Sequence, residues 1–178
     1  MLPTAIRSPA LTMACYTKKM KITFITVGKI KEKYMKAAVD EYAKRLSKYA
    51  KLNIVEVADE PAREKISSAE EQIILQQEGE RILRCIKESG YVIATAIAGM
   101  QLDSVGFAEK IRKLAVDGHS HIYFVIGGSL GLCPQVIKRA DFLISFSKMT
   151  FPHQLMRVIL AEQVYRAFRI NSGEPYHK

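Results

Sequence analysis

From Met20 onward the chain alternates between two hydrophobic rhythms. Ile22-Thr23-Phe24-Ile25-Thr26-Val27 is a β-branched run closed by Gly28 and reads as a strand. Residues 31–49 then place Met35, Val39, Tyr42 and Leu46 on one face of a helix. Leu52 to Val57 reads as a second strand, broken by Asp59-Glu60-Pro61 and a polar stretch to Ser67. Ser68 and Glu71 have capping-box spacing and predict a helix to about Lys87. Tyr91 to Ile97 is a third strand ending at Gly99, and Ser104 to Val116 is a helix stopped near Gly118. His121 to Ile126 is a fourth strand, residues 134–139 a short helix, Phe142 to Ser145 a last strand and residues 152–170 a final helix.

This alternation predicts one α/β domain with a mostly parallel sheet and helices on both faces. Ligands of such sheets gather at the carboxyl ends of the strands. Gly99, Gly127-Gly128 and Ser147 to Phe151 all follow strands, so they are expected along one rim. Residues 1–19 lack either rhythm, carrying two prolines, three basic residues and no acid. They also lack the continuous apolar segment of a secretory signal. A disordered or non-native N-terminal extension is expected there, with the single domain covering residues 20–178.

Composition narrows the class further. Hydrophobic residues at 48% and charged residues at 25% are ordinary for a globular protein, and no apolar run reaches membrane-spanning length. A net charge of +9 points to a polyanionic partner such as nucleic acid; three of the nine charges lie in residues 1–19. Cys15, Cys85 and Cys133 are widely spaced with no C-x-x-C pair, which supports neither a disulfide framework nor a zinc knuckle and fits a reducing cytoplasm. His119 and His121 lack a third nearby ligand, so no metal is expected.

Three segments carry candidate chemistry. Gly127-Gly128-Ser129-Leu130-Gly131 follows a strand and precedes a helix, which suits either close backbone approach to a ligand or a tight turn. It is not G-x-G-x-x-G, and no acid stands at the distance a dinucleotide ribose requires. Ser145 to His153 is a loop leading into the last helix, with Thr150 or Phe151 as cap and Pro152 in the first turn. His153 would have its charged form disfavoured by the helix dipole; the alternative is a plain capping loop anchored by Phe146 and Phe151. In that helix Met156, Leu160, Val164 and Phe168 form an apolar stripe flanked by Leu155 and Ile159, while Arg157, Arg166 and Arg169 are expected off it, on the surface. An additional apolar face suggests a partner subunit. The terminal Tyr176-His177-Lys178 offers stacking, a proton acceptor near neutral pH and a phosphate contact.

In combination, three segments resemble those of the large-subunit ribosomal RNA methyltransferase H group of the SPOUT methyltransferases. They are the Val125-Ile126-Gly127-Gly128 strand end, the helix from Phe151-Pro152-His153 to Tyr165-Arg166-Ala167-Phe168, and the Pro175-Tyr176-His177-Lys178 ending. The resemblance covers residues 20–178. It implies a C-terminal deep trefoil knot, an obligate homodimer, and a cofactor pocket at the knot near the dimer interface. It also implies methyl transfer from S-adenosylmethionine to N3 of a pseudouridine in 23S rRNA of the assembled 70S ribosome, with neither membrane nor metal.

By the same resemblance Thr95, Gly127, Gly128, Phe146, Ser147, Lys148, Met149, Thr150 and Phe151 hold the cofactor. Tyr176, His177 and Lys178 reach the target base: His177 accepts or relays the N3 proton, Tyr176 positions the base, and Lys178 or Arg157 holds phosphate, with His153 beside Arg157 on the substrate side. Three positions depart from the group's pattern: Ala96 stands where relatives commonly carry an acid, Met100 where a lysine follows the glycine, and Lys178 where others carry arginine. The competing expectations are a non-catalytic RNA- or ribosome-binding assembly protein and a SPOUT methyltransferase with a tRNA target.

Overall fold

A computed structural model describes residues 19–61 and 66–176. Five strands, β1 (Met20–Val27), β2 (Ala50–Val57), β3 (Tyr91–Gln101), β4 (His121–Ile126) and β5 (Phe142–Ser145), alternate with five helices. The helices are α1 (Lys33–Leu46), α2 (Ser68–Arg84), α3 (Ser104–Val116), α4 (Pro134–Arg139) and α5 (His153–Asn171). The sheet order is β2-β1-β4-β3-β5, and every pairing is parallel. The expected α/β class with helices on both faces is therefore what the chain adopts.

The two-residue period of the strands divides the core into two layers. Ile22 and Phe24 of β1 and Ile122, Phe124 and Ile126 of β4 face one way, where α1, α3 and α5 contribute Leu46, Phe107, Ile111, Leu160 and Val164. Ile25 and Val27 of β1 and Tyr123 and Val125 of β4 face the other way, against Ile82 of α2 and Val136 of α4. The central strands are buried on both sides, so they read as continuous apolar runs rather than alternating ones. Phe24 and Phe124, neighbours in register, meet edge to face at 5.7 Å.

Among the element ends that differ from the sequence reading, three have a visible local cause. The N-cap of α2 is Ser67, whose hydroxyl accepts from Glu70 N while the Glu70 side chain accepts from Ser67 N; Ser68 is already helical. The sequence contains two overlapping boxes, Ser67–Glu70 and Ser68–Glu71, and folding selects the earlier. Strand β3 runs on through Gly99 to Gln101, because both Thr95 and Met100 take Ile144 as partner and residues 96–99 bulge out between them. Helix α5 is capped by Pro152 in extended conformation rather than by Thr150 or Phe151, and with no side-chain cap.

Candidate cofactor and substrate site

At the carboxyl ends of β3, β4 and β5 lies a cavity of about 640 Å³. Its walls are the β3 bulge (Ala96 to Ala98), the glycine turn after β4 (Gly127 to Leu132) and the loop from β5 into α5 (Ser145 to His153). Its size and concavity are those of a small-molecule site. Each wall has a local cause. A Cβ at Gly99 would stand 2.6 Å from the Ile144 carbonyl carbon, so only glycine lets the bulge close onto β5. The Gly131 N–H donates to the Gly128 carbonyl at 3.2 Å, and Gly131 has φ +89°. A Cβ at Gly127 would lie 2.3 Å from the Gly131 carbonyl oxygen, so the turn itself demands that glycine. The third wall is tied internally: the Ser145 hydroxyl donates to the Ser147 carbonyl, and the Met149 N–H to the Ser147 hydroxyl, both at 2.9 Å.

Of the residues expected to hold a cofactor, Thr95, Gly127, Gly128, Phe146, Ser147, Met149, Thr150 and Phe151 all line this one cavity. Thr95 is fixed by donating its hydroxyl to the Val125 carbonyl at 3.2 Å. Lys148, although in the same loop, is exposed and lies outside the lining. The sequence reading missed an apolar set, Ile97, Leu130, Leu132, Ile137 and Met156, that completes the walls. Only Leu130 and Leu132 stand in a loop after a strand, the glycine turn after β4; Ile97 belongs to β3, Ile137 to α4 and Met156 to α5.

His153 and Arg157, both expected on the substrate side, part company. His153 lines the cavity. Burial first, and then the positive charge of Arg157, hold its imidazole below the ordinary histidine range, with Asp59 opposing. Arg157 is 1% exposed and sits on the buried face of α5 with Leu160, Ala161 and Val164. Its Nη1 donates to Glu56 Oε1 at 2.9 Å, and its Nη2 donates to the Val27 and Gly28 carbonyls at 2.7 and 2.8 Å. The expectation of a surface arginine holding phosphate is thus corrected: the guanidinium is taken up by the ends of β1 and β2. Its spacing to Leu160 and Val164 places it on the buried stripe.

Another buried charge supports the glycine turn. Glu78, 5% exposed, accepts the Glu60 N–H at 3.0 Å, and its Oε2 lies 3.0 Å from where a Gly128 Cβ would be. Burial pushes its carboxyl above the ordinary range.

The tail lies elsewhere. Tyr176 packs edge to face on Tyr165 at 5.1 Å, with the Arg166 guanidinium 4.7 Å from its ring centroid and its hydroxyl 3.4 Å from Glu162 Oε1. Burial, then Tyr42 and Glu162, push its hydroxyl pKa up to about 12. Tyr176 is therefore a protonated donor at neutral pH. At ~1.5 Å rise per residue, its contacts at Glu162 to Arg169 lie roughly 13–24 Å along α5 from His153. Within one chain Tyr176 does not meet the cavity. His177 and Lys178 lie outside the described residues. Among the described residues no group of three or more His, Cys, Asp or Glu could hold a metal, and no helix is long and apolar enough to cross a membrane.

A parallel α/β sheet with an apolar, glycine-walled cavity at its carboxyl rim has the form of a small-molecule-binding α/β protein. A family model described as "Predicted SPOUT methyltransferase" matches residues 20–177. The chain belongs to the SPOUT methyltransferase family. It is 62% identical over 159 residues to a protein of Bifidobacterium adolescentis called ribosomal RNA large subunit methyltransferase H, covering 89% of this chain and all of that relative. It is 59% identical over the same length to the protein of that name from Alkaliphilus oremlandii, and 60% to that from Lactobacillus helveticus, again covering 89% of this chain and all of each relative.

Proposed function

We propose that this chain is a ribosomal RNA methyltransferase that uses S-adenosylmethionine to methylate N3 of a pseudouridine in the large-subunit RNA of the assembled ribosome. The observation that carries the reading is the full-length similarity to relatives named ribosomal RNA large subunit methyltransferase H. The chemistry of the cavity supports it. Apolar Ile97, Leu130, Leu132 and Ile137 suit a purine ring, and the backbone of three loops offers donors and acceptors for polar groups. His153 is the one ionisable residue of the lining, and it is held toward its neutral form, so no cation opposes a positively charged sulfonium.

In this reading Thr95, Gly127, Gly128, Phe146, Ser147, Met149, Thr150 and Phe151 hold the cofactor, which supplies an electrophilic methyl group. The chain's own contribution is placement of the nucleophilic nitrogen and management of its proton. His177 accepts the N3 proton, a role typically worth ~10²–10⁴-fold in rate. Tyr176 is the donor that orients the base, and Lys178 holds a phosphate. Because Tyr176 lies along α5 from its own cavity, the reading takes the working unit to be a homodimer in which one copy's tail serves its partner's cavity. It also takes residues 20–178 as one domain with a knotted C-terminal part, acting in the cytoplasm.

The test is transfer of labelled methyl from S-adenosylmethionine to ribosomes lacking their native large-subunit methylation, with free ribosomal RNA and tRNA alongside. Label confined to ribosomes is expected. Label in tRNA would replace the substrate, and ribosome binding with no transfer would leave an assembly protein.

A further inference from the structure

The positive charge of this protein is concentrated in one stretch. Residues 19–51 hold ten Lys and Arg against three acids, a net +7, whereas residues 52–178 hold fifteen against fifteen. That stretch is β1, the loop after it, α1 and the first residues of β2. Within that stretch Lys29, Lys31, Lys33 and Lys36 follow the carboxyl end of β1, all exposed, with Glu32 the only acid among them. None of the four lysines has an ion-pair partner among the described residues, whereas Arg45 and Lys48 farther along pair with Glu41 and Glu174.

Their position joins them to the site. Gly28 to Glu32 follows β1 at the carboxyl rim of the sheet, next to β4, whose end supplies the glycine turn. The Lys31 N–H donates to Gln154 Oε1 at 3.0 Å, beside the cavity-lining His153. Arg157 fastens the same loop by the Gly28 carbonyl, and Glu56, which receives Arg157, also accepts the Ile30 N–H at 3.2 Å. Lys29 and Lys31 thus stand on a loop braced against the cavity wall from two sides, and Lys33 and Lys36 on the first turn of α1 that follows it.

We infer that Lys29, Lys31, Lys33 and Lys36 form a phosphate-binding strip that holds the RNA backbone flanking the target base beside the cavity. Four unpaired ammonium groups on a braced rim match a chain of phosphates. The inference rests on the proposed RNA substrate and adds to it where the backbone runs.

The experiment replaces all four lysines by glutamine and measures binding to 70S ribosomes lacking the native methylation as a function of salt. A matched variant with Arg84, Lys87, Lys113 and Lys138 replaced by glutamine removes the same charge from α2, α3, α4 and the turn after α2. Each released phosphate contact contributes ~0.7–0.9 to the slope of log affinity against log salt, so the strip variant should lose about 3 from that slope. From 50 to 200 mM salt the wild type would then weaken roughly 50-fold more than the strip variant. The matched variant should follow the wild type, and S-adenosylmethionine affinity should be kept in both. An unchanged slope in the strip variant, an equal loss in both variants, or lost cofactor affinity in the strip variant alone would overturn the inference. A wild type that binds phosphatidylserine vesicles but not ribosomes, or shows no salt-dependent ribosome binding, would overturn the RNA reading itself.

Discussion

Arg157 illustrates what one side chain does for this site. A guanidinium buried among apolar neighbours is costly unless its donors are met. Here Nη1 and Nη2 meet Glu56 and two backbone carbonyls at the end of β1, while Nε has no partner among the described residues. The bond ties the first turns of α5, which carry His153 and Met156 of the cavity wall, to the sheet edge and the loop after β1. Removing one partner of a buried pair typically costs about 3–5 kcal/mol. Arg157→Ala is therefore expected to lower the unfolding free energy, read by urea denaturation, by that order and to weaken S-adenosylmethionine binding. Arg157→Lys should recover part of the stability, since it keeps the charge but not the fork that reaches three acceptors. A denaturation curve for Arg157→Ala within about 0.5 kcal/mol of wild type would show that the clamp is not structural. Gly127 is held to its identity just as locally, by the Gly131 carbonyl across its own turn.

At the scale of elements, the capping of α2 gives the sharpest prediction. Of two adjacent serines only Ser67 has its hydroxyl on a helix N–H. Ser67→Ala should cost about 1 kcal/mol, read by chemical denaturation, and Ser68→Ala less than about 0.5 kcal/mol. The reverse order would move the N-cap to Ser68.

The same comparison shows what local pattern conveys. Strands β1, β4 and β5 and helices α3 and α4 fall where the apolar rhythm puts them, because each is short, strongly periodic and bounded by Gly, Pro or polar residues. Eight of the expected cofactor residues were found from loop position and resemblance together, and they share one cavity. What the chain does not declare locally are its long-range partners. The β3 bulge exists only because β5 offers Ile144 to two residues of β3. Arg157 reads as surface until β1 and β2 supply its acceptors, residues 101 to 130 positions away. Tyr176 sits beside Glu162 and Arg166, away from its own cavity, a separation fixed by the length of α5.

The whole molecule then has a simple polarity. One rim of a parallel sheet carries an apolar cavity, walled by three loops whose shapes are set by glycines and internal hydrogen bonds. Beside it stands the unpaired part of a region holding seven of the nine net charges. From the cavity wall α5 runs between α1 and α3, and Tyr176 lies against its later turns. A small neutral pocket next to a cationic track suits a reaction in which a cofactor is enclosed and a large polyanion brings one base to it. The account as a whole is tested most directly by mass spectrometry of nucleosides from unmethylated ribosomes after reaction with this protein and S-adenosylmethionine. The predicted result is N3-methylpseudouridine at a single position of the large-subunit RNA. A methyl group on another nucleoside, or none while the cofactor binds in the cavity, would contradict it.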